Sequence, residues 1–284
     1  MKLQKQTGAV KKCQLCGHKT LQSVLPLGHQ PITQAYLTAK QFCEPEITYP
    51  LNLCRCPQCG LLQIDYIVSP EIVFPKNYPY RTGLTNMLIR NFRELASAIE
   101  KKYRLKKGDL IVDIGSNDGT LLNVFKEKGM RVLGVEPTSA ARTANKNGIE
   151  TLQEFFTGKT AKKILNKRGR AKIATATNVF AHIPNPLELA KNIKKILRPD
   201  GIFVSESQYL TDIIEKLEFD TIYHEHLRFY SLKPLAKLFS LSGMSLIDAE
   251  RISAAGGSIR AYARPGRHPA SLRTKKLILA EKKA

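Results

Sequence analysis

Residues 110–120 read Leu-Ile-Val-Asp-Ile-Gly-Ser-Asn-Asp-Gly-Thr, and this stretch decides the fold. It opens with a short, nearly continuous apolar run, as expected of a strand buried on both faces of a parallel sheet. A Gly-rich turn follows, and residues 120–128 then carry apolar side chains at helical spacing, with Gly129 as the stop signal. The stretch therefore predicts a strand at 110–115, a turn and a helix at 120–128, the first half of a βαβ unit.

The alternation of strand and helix continues along the chain. Further strands are predicted at 131–137, 172–179 and 201–207, and further helices at 139–147, 158–168 and 186–197. Because parallel strands are joined by right-handed helical crossovers, this pattern predicts an α/β fold with a mostly parallel, doubly wound, Rossmann-like sheet. In such a sheet the ligand binds at the carboxyl ends of the strands.

All six cysteines lie within the first 59 residues. Four of them form two CxxC pairs that are separated by 39 residues: Cys13, Cys16, Cys56 and Cys59. Two such pairs supply the four sulfur ligands of a structural zinc site, which has no open position for a substrate. The alternative is a set of reduced cysteines without metal. Cys43 and Cys54 have no CxxC partner and are predicted to be small buried apolar residues.

Composition places the chain among globular proteins of about two domains. It has 284 residues, of which 43% are hydrophobic and 24% charged. Lys and Arg number 45 against 24 Asp and Glu, and the formal net charge of +21 favours an anionic partner such as nucleic acid, a membrane surface or a phosphorylated small molecule. Because the sequence has neither an N-terminal apolar segment nor a run of about 18 apolar residues, a cytoplasmic protein is predicted.

The turn after the first α/β strand is predicted to bind a nucleoside cofactor. Its sequence from Asp113 to Gly119 lets a ligand approach the backbone closely, but it is not GxGxxG, which disfavours a dinucleotide. Glu136 lies 21 residues beyond Gly115, where an acidic residue accepts hydrogen bonds from both ribose hydroxyls. Together these features predict S-adenosylmethionine. Taken alone, Glu136 is equally compatible with a capping or surface carboxylate.

Two segments carry candidate catalytic residues. Asn178 and His182 lie at the carboxyl end of the strand predicted at 172–179, although a single histidine there is more often structural. Further along, Tyr223, Glu225 and His226 fall within four residues. In a helical turn Tyr223 and His226 would share a face, and a neighbouring carboxylate would raise the pKa of the imidazole. The alternative is a solvated polar turn.

A third segment, Gly-Gly-Ser-Ile-Arg at 256–260, combines a flexible turn with a guanidinium. Arg260 is therefore predicted to suit a phosphate group. A plain hairpin is the alternative.

In these motifs the chain resembles the sugar C-methyltransferase family that modifies nucleotide-linked deoxysugars. The matching segments occur in the family's order and cover residues 13 to about 262: CQLCG, LGHQPITQAYL, YPLNLCRCPQCGLLQ, YPYRTG, VDIGSNDGTLL, GVEP, NVFAHIP, DTIYHEH and GGSIR. The resemblance implies a zinc-binding domain at 1–75 and a class I S-adenosylmethionine-dependent methyltransferase domain at 76–263. Residues 264–284 are predicted to be a basic tail, the stub of a C-terminal substrate domain that family members carry after GGSIR.

The resemblance also implies roles for individual residues. It places Gly115, Ser116, Asn117, Gly119 and Glu136 at the cofactor, with Asn178 and His182 close by and Tyr80 near the methyl donor. Tyr223, Glu225 and His226 would form the catalytic cluster. The implied substrate is a keto sugar on a nucleoside diphosphate, and the substrate domain would be either missing or supplied by a separately encoded chain.

The expected mechanism begins with removal of a proton from the carbon beside the ketone. His226 is the expected base, oriented or tuned by Glu225, while Tyr223 and His182 donate hydrogen bonds to the developing enolate oxygen. The carbon then accepts the methyl group.

Two other functions stay open on the sequence. An RNA or ribosomal RNA methyltransferase would account for the positive charge, but Lys and Arg are scattered with few aromatic residues among them, which disfavours nucleic acid as a partner. A truncated, non-catalytic relative that still binds S-adenosylmethionine is the other alternative.

Overall fold

The computed structural model describes residues 7–33, 36–75 and 78–282. Its N-terminal part consists of short strands around the two cysteine pairs. In chain order these elements are β1 (Gly8–Ala9), β2 (Gln22–Pro31), β3 (Thr48–Arg55), β4 (Leu62–Ile64), β5 (Tyr66–Ile67) and the short helix α1 (Pro70–Val73).

The middle of the chain alternates helix and strand, as predicted. Its elements are α2 (Asn86–Tyr103), β6 (Leu110–Ile114), α3 (Thr120–Glu127), β7 (Arg131–Val135), α4 (Ala140–Lys146), β8 (Thr151–Leu152), α5 (Gly158–Arg168), β9 (Ala171–Thr177), α6 (Pro186–Ile196) and β10 (Leu197–Gln208). Each predicted strand and helix of this region is present. Helix α2 and strand β8 were not predicted, and β10 begins four residues earlier than predicted.

The last third of the chain mixes helices and strands. Its elements are α7 (Leu210–Glu215), β11 (Arg228–Phe229), α8 (Leu232–Ser242), β12 (Met244–Ile252), β13 (Ser258–Pro265) and α9 (Leu272–Glu281). Short 3-10 helices lie at Ala39–Cys43, Thr82–Leu84, Phe219–Thr221 and Ala254–Gly256.

The central sheet has seven strands in the order β12-β13-β10-β9-β6-β7-β8. Strands β8, β7, β6, β9 and β10 are parallel, whereas β13 and β12 are antiparallel to their neighbours. All five residues of β6 are buried, because helices cover both faces of the sheet. Val112 belongs to the core on one face and Ile111 to the core on the other. This arrangement confirms the predicted α/β fold with a mostly parallel sheet.

Local signals fix where the covering helices begin and end. The Asn185 side chain accepts a hydrogen bond of 3.0 Å from the Glu188 N–H, and Pro186 occupies the first turn of α6, where its missing N–H costs nothing. Helix α8 ends at Gly243, whose φ of +78° suits the left-handed cap. Both helices bury an apolar face against the sheet, which is how their residues join one core.

A second sheet joins the cysteine-rich region to the rest of the chain. Its order is β11-β4-β3-β2, and all its neighbours are antiparallel. In it, Arg228 of β11 pairs with Gln63 and Phe229 with Leu62 of β4. The sheet therefore crosses the domain boundary predicted after residue 75. A third, two-stranded sheet pairs β1 with β5.

Residues 264–282 are part of the folded body, where the sequence predicted a basic tail. They include the end of β13 and the whole of α9. Glu281 in α9 accepts hydrogen bonds from the Tyr209 hydroxyl at 2.7 Å and from the Leu232 N–H at 2.6 Å. The apolar residues at 277–280 are few and are flanked by lysines. The positive charge of the segment therefore led to the prediction of a tail instead of a helix. Within residues 7–33, 36–75 and 78–282, no helix combines the length and apolarity needed to cross a bilayer.

Candidate active site

A cavity of about 1190 Å³ lies at the carboxyl ends of β6, β7 and β9. Eleven of the twelve predicted cofactor and catalytic residues line it: Tyr80, Asp113, Gly115, Ser116, Asn117, Glu136, Asn178, His182, Tyr223, Glu225 and His226. The structure therefore brings predicted residues from five separate segments together around one cavity.

The turn after β6 brings the backbone close to the cavity. Gly115 has a φ of +71°, and a Cβ atom there would overlap the Val179 side chain. The Ser116 N–H donates to the Val135 carbonyl at 3.3 Å, and the Ser116 hydroxyl packs over Gly134. Gly119 lies behind this turn as the N-cap of α3, with a φ of +82°, and does not line the cavity. Its contribution to the site is therefore to the backbone of the turn.

Glu136 lies at the end of β7 and is 6% exposed. Its two oxygens accept hydrogen bonds from the Asn117 N–H at 3.1 Å and from the Thr138 N–H at 2.8 Å. A carboxylate can accept about four hydrogen bonds, so each oxygen keeps a lone pair for a ligand hydroxyl. This oriented, buried acceptor beside an open backbone turn fits the ribose of S-adenosylmethionine.

Asp113 is the most buried acid at this end of the cavity, at 2% exposure. Burial raises its pKa to about 7, and the negative charge of Glu136 adds to the rise. The Thr175 hydroxyl opposes the shift by donating to Asp113 at 2.6 Å. Asp113 is therefore partly protonated near neutral pH in the free protein.

Tyr80 and Asn178 also line the cavity. The Tyr80 carbonyl accepts from the Asn117 side-chain amide at 3.2 Å, and the Tyr80 ring is 43% exposed at the cavity rim. Asn178 has a φ of +54°, and its N–H donates to the Glu206 carbonyl at 2.7 Å. An amide side chain tolerates this left-handed backbone better than most. Both residues thus frame the cofactor end of the cavity.

His226 and Tyr223 form a hydrogen-bonded pair at the other end. The His226 Nδ1 lies 2.7 Å from the Thr221 carbonyl, which can only accept, so Nδ1 carries the proton. The neutral ring therefore has a free lone pair on Nε2, and the Tyr223 hydroxyl donates to it at 3.2 Å. Burial lowers the pKa of His226 to about 4, although the Thr221 bond opposes the shift. At neutral pH this imidazole is an unprotonated base.

His182 has the same tautomer. Its Nδ1 donates to the Glu225 carbonyl at 2.8 Å, and its ring centroid is 4.9 Å from that of His226. Burial, and next the neighbouring His226, lower the pKa of His182 to about 3. In this tautomer the neutral ring carries no proton on Nε2. The expected role of His182 as a hydrogen-bond donor to an enolate oxygen stays a prediction, and it requires the other tautomer or a protonated ring.

Glu225 does not contact His226 through its carboxylate, which corrects the predicted tuning of that base. The carboxylate accepts from the Tyr78 hydroxyl at 2.9 Å and from the Thr33 hydroxyl at 3.4 Å. Burial raises the pKa of Glu225, and these two hydrogen bonds oppose the rise. The segment is a turn and not a helix, so consecutive side chains point to different partners. Glu225 acts on the imidazoles only through its backbone carbonyl on His182.

Arg260 is likewise not available to a phosphate group. It is 4% exposed, and its Nε donates to Glu206 at 2.9 Å, while another nitrogen donates to the Asn91 side chain at 2.8 Å. The pair stands inside the sheet on β10 and β13, where Glu206 is completely buried. A buried carboxylate needs such a partner, and the sequence alone does not reveal which strand supplies it.

The four CxxC cysteines form one compact cluster. The sulfur of Cys13 is 3.5 Å from that of Cys59, the sulfur of Cys16 is 3.6 Å from that of Cys56, and all four lie within 4.8 Å of one another. Sulfurs around a tetrahedral zinc ion with bonds of about 2.3 Å lie about 3.8 Å apart. The cluster therefore fits a structural zinc ion.

The two remaining cysteines differ from each other. Cys54 is 3% exposed, as predicted, and burial together with the charge of Asp65 raises its pKa to about 11. Cys43 is exposed, so its predicted burial is wrong. It ends a 3-10 helix in the connection between β2 and β3, and no residue of that helix is buried.

Several residues of the site were not singled out in the sequence. Phe155, Phe156 and Asn192 line the cavity, and Phe74 packs edge-on against the His182 ring at 5.6 Å. Tyr78 is part of the YPYRTG motif, which was the one available signal for its contact with Glu225. Phe74, Phe155, Phe156 and Asn192 belong to no recognisable motif, so no signal in the sequence pointed to them.

Comparisons with known proteins agree with this architecture. Residues 87–249 match the family model described as "Methyltransferase domain", and residues 13–74 match the one described as "Putative zinc binding domain". C-methyltransferase NovU of Streptomyces niveus is 32% identical over 257 residues, which cover 90% of this chain and 61% of NovU. Ubiquinone biosynthesis O-methyltransferase of Actinobacillus pleuropneumoniae is 25% identical over 115 residues, 37% of this chain and 47% of that protein. The chain thus spans about half to three fifths of these relatives.

Solved structures share the fold. The plantazolicin methyltransferase BpumL in complex with SAH superposes with a TM-score of 0.51 at 15% identity, covering 63% of this chain and 85% of BpumL. An S-adenosylmethionine-dependent methyltransferase from Clostridium acetobutylicum has a TM-score of 0.50 at 12% identity, covering 63% of this chain and 92% of that one. At these identities the similarity concerns the α/β fold alone.

Proposed function

The chain belongs to the methyltransferase family, and from this premise we propose that it is an S-adenosylmethionine-dependent C-methyltransferase of a nucleotide-linked keto-deoxysugar. The observation that carries the proposal is the single cavity with two chemically different ends. Glu136 offers a buried carboxylate to ribose hydroxyls at one end, and His226 offers an unprotonated nitrogen at the other. The 32% identity to a protein named as a C-methyltransferase supports carbon as the methyl acceptor.

The residues of the cofactor end would hold S-adenosylmethionine by its ribose, through Glu136, and along the backbone of the turn at 115–117. When bound, S-adenosylmethionine supplies an electrophilic methyl group. Carbon is nucleophilic enough to take it only after a neighbouring carbonyl has acidified its hydrogen, which is why a keto sugar is the proposed acceptor. The proposed site must therefore hold a base as well as a cofactor.

His226 is the proposed base. Its Nε2 holds no proton at neutral pH and takes the proton from the carbon beside the ketone. To do so it must release the hydroxyl of Tyr223, which then becomes available as a donor to the enolate oxygen. Burial raises the pKa of Tyr223, so the phenol keeps its proton and acts as a donor, not as a base. His182 places a second acceptor nitrogen beside His226.

The first prediction concerns the base. In a methyl-transfer assay with a panel of nucleoside diphosphate keto sugars, His226→Ala is expected to reduce turnover by about 1000-fold, on the scale of losing a general base. Its dissociation constant for S-adenosylmethionine, measured by calorimetry, should stay within about threefold of wild type. The matched control is His29→Ala, an exposed histidine on β2, which should leave turnover unchanged.

Product analysis tests the remaining parts of the proposal. Mass spectrometry and NMR should locate the new methyl group on a sugar carbon. Undiminished turnover in His226→Ala would remove that residue from the mechanism. Methylation of RNA, or a methyl group on oxygen or nitrogen, would contradict the proposed reaction, and cofactor binding without turnover on any sugar nucleotide would favour a non-catalytic protein.

A further inference from the structure

Arg228 directly follows the catalytic turn and takes no part in the proposed chemistry. It is 1% exposed and is among the largest fully buried side chains. Its guanidinium donates to the carbonyls of Ala181, at 3.5 Å, and of Ile183. These two carbonyls flank His182 in the sequence, so a single planar group holds the backbone on both sides of an active-site imidazole.

The other partners of Arg228 are also uncharged. One nitrogen donates to the Gln14 side-chain oxygen and Nε donates to the Tyr230 hydroxyl at 3.2 Å. Among the described residues, no carboxylate forms an ion pair with it, in contrast to the buried Arg260, which pairs with Glu206. A buried cation without a partner anion is strongly destabilising, and a more distant negative charge would offset part of that cost.

The cysteine cluster is one source of negative charge that acts on Arg228. Burial lowers the pKa of Arg228, whereas Tyr230 and the Cys13 thiolate oppose that shift. Gln14, which contacts the guanidinium, lies between Cys13 and Cys16 in the first CxxC pair. Four thiolates around one divalent ion leave a net negative charge, and this charge would stand next to the buried cation.

A second set of hydrogen bonds, through Gln63 of β4, also connects the first cysteine pair to β11. The Gln14 N–H donates to the Gln63 side chain at 2.8 Å, and Gln63 is the residue of β4 that pairs with Arg228 in β11. Leu227, which precedes β11, contacts the loop around His182, because its N–H donates to the Ala181 carbonyl at 3.1 Å. The first cysteine pair, β4, β11 and the His182 loop therefore form one continuous set of hydrogen bonds.

We propose that Arg228 is a positioning residue, through which Gln14 of the zinc-binding region holds the backbone around His182 and so fixes the orientation of its imidazole. The consequence for catalysis rests on the proposed function. The orientation itself does not, and it can be measured without any substrate. Zinc, although remote from the reacting atoms, is then coupled to the histidine pair.

The experiment uses the full-length chain labelled with 15N-histidine and long-range 1H–15N NMR, which reports the tautomer of each imidazole. The test variants are Gln14→Leu, which removes the acceptor together with the amide that donates to the Ile64 carbonyl at 3.5 Å, and Arg228→Met. Gln14→Glu is the conservative variant, because it retains an oxygen for the guanidinium. Arg170→Met is the matched control, since Arg170 also donates to two carbonyls, of Lys195 and Leu197, but on the surface of the α/β sheet.

In the wild type, His182 should give the signal of a ring protonated at Nδ1 alone. Gln14→Leu and Arg228→Met should shift that signal or replace it by a tautomer mixture, and Gln14→Glu and Arg170→Met should leave it in place. Chelating zinc should shift the signal in wild type but cause no further shift in Arg228→Met. With an active substrate, Gln14→Leu should lower kcat about tenfold with KM within about twofold.

An unchanged His182 signal in folded Gln14→Leu, or an equal effect of zinc chelation in wild type and Arg228→Met, would overturn the proposal. Circular dichroism identifies any variant that has lost its fold, and Gln14→Leu alone then decides. The NMR outcome is independent of the sugar substrate, so absence of methyl transfer contradicts the proposed function without touching this inference.

Discussion

The two histidines of the active site hold their protons in the same way. In each ring Nδ1 donates to a backbone carbonyl, that of Thr221 for His226 and that of Glu225 for His182. A carbonyl cannot reverse this role, so each Nε2 is left as an acceptor, and the two ring centroids lie 4.9 Å apart. Because burial keeps both rings neutral, the pair offers lone pairs over a wide range of pH.

The second prediction follows from these pKa values. The proposed base works only unprotonated, and the pKa of His226 is lowered to about 4, so kcat/KM is expected to stay level from neutral pH down to about pH 5 and to fall as pH approaches 4. An unperturbed histidine would instead give an acid limb near 6.5. The pH profile of kcat/KM measures the difference.

Asp113 is the control for that profile. Asp113 lies at the proposed cofactor end of the cavity, and its pKa is raised to about 7. Any change of kcat/KM near neutral pH that disappears in Asp113→Asn therefore belongs to this carboxyl group and not to the base. An acid limb near 6.5 that survives this substitution would contradict the role given to His226.

At the scale of elements, the carboxylate of Asp248 connects helix α9 to the sheet and to α2. Asp248 on β12 accepts from the Ser271 hydroxyl and from Arg273, each at 2.5 Å, and also from Lys102 on α2. Burial opposes ionisation of Asp248, but the bonds from Arg273, Lys102 and Ser271 outweigh it and hold the pKa well below its usual range. Three elements thus depend on one charge.

The third prediction is that Asp248→Asn lowers the free energy of unfolding by about 2 kcal/mol at pH 7, as measured by urea denaturation. Since the folded-state pKa is depressed, this contribution is present above the unfolded value of about 3.9 and is lost as pH falls below it. Wild type should therefore lose stability on acidification below pH 4 more steeply than the variant.

The control for this variant is Asp200→Asn. Asp200 pairs with Lys172 and Arg198, but its side chain is 45% exposed, so water screens the pairs. A loss below about 1 kcal/mol is expected there. Equal losses in the free energy of unfolding of the two variants would show that Asp248 does not specifically stabilise α9.

Periodicity explains which elements could be predicted from the sequence. The run at 110–114 and the helix at 186–196 have unambiguous apolar spacing and local stop signals, and both were located within a residue or two. The antiparallel pairing of β12 with β13 was not, because which strand a segment meets depends on tertiary contacts. The two-residue β11 carries no periodic signal at all.

The site was predictable as a set of residues and less so as a set of contacts. Glu136 and His182 were singled out at predicted strand ends and His226 in a dense polar cluster, and the structure brings all three to one cavity. The partners of Glu225 and Arg260 were not, because each side chain meets a residue far away in sequence, such as Tyr78 or Asn91. Sequence spacing fixes neither contact.

For the molecule as a whole, the zinc-binding region and the α/β body are joined by shared structure. Strand β11 belongs to the α/β body by its position in the sequence, but it pairs with β4 of the zinc-binding region. The His224 Nε2 lies 3.2 Å from the Pro50 carbonyl on β3, and the Thr33 hydroxyl contacts Glu225. The turn at 221–227 is therefore supported from both regions.

The fourth prediction is that chelating zinc loosens one side of the molecule selectively. Hydrogen exchange should accelerate in β3, β4, β11 and residues 221–227, because the cysteine cluster that anchors their sheet is lost. Strands β6 and β7 should remain protected, and the dissociation constant for S-adenosylmethionine should change by less than about threefold. Uniform acceleration, or none in β11, would contradict this division.

The pairing of β11 with β4 also orders the events of folding during synthesis. The paired residues lie about 165 positions apart, so β4 has an open edge while the ribosome makes everything between them. The parallel strands β6, β7 and β9 need no such delay, because their neighbours are made nearby in time. An open edge is a template for wrong pairing, and early zinc binding would hold that edge in shape. The catalytic turn is then completed by the same late step that closes the edge.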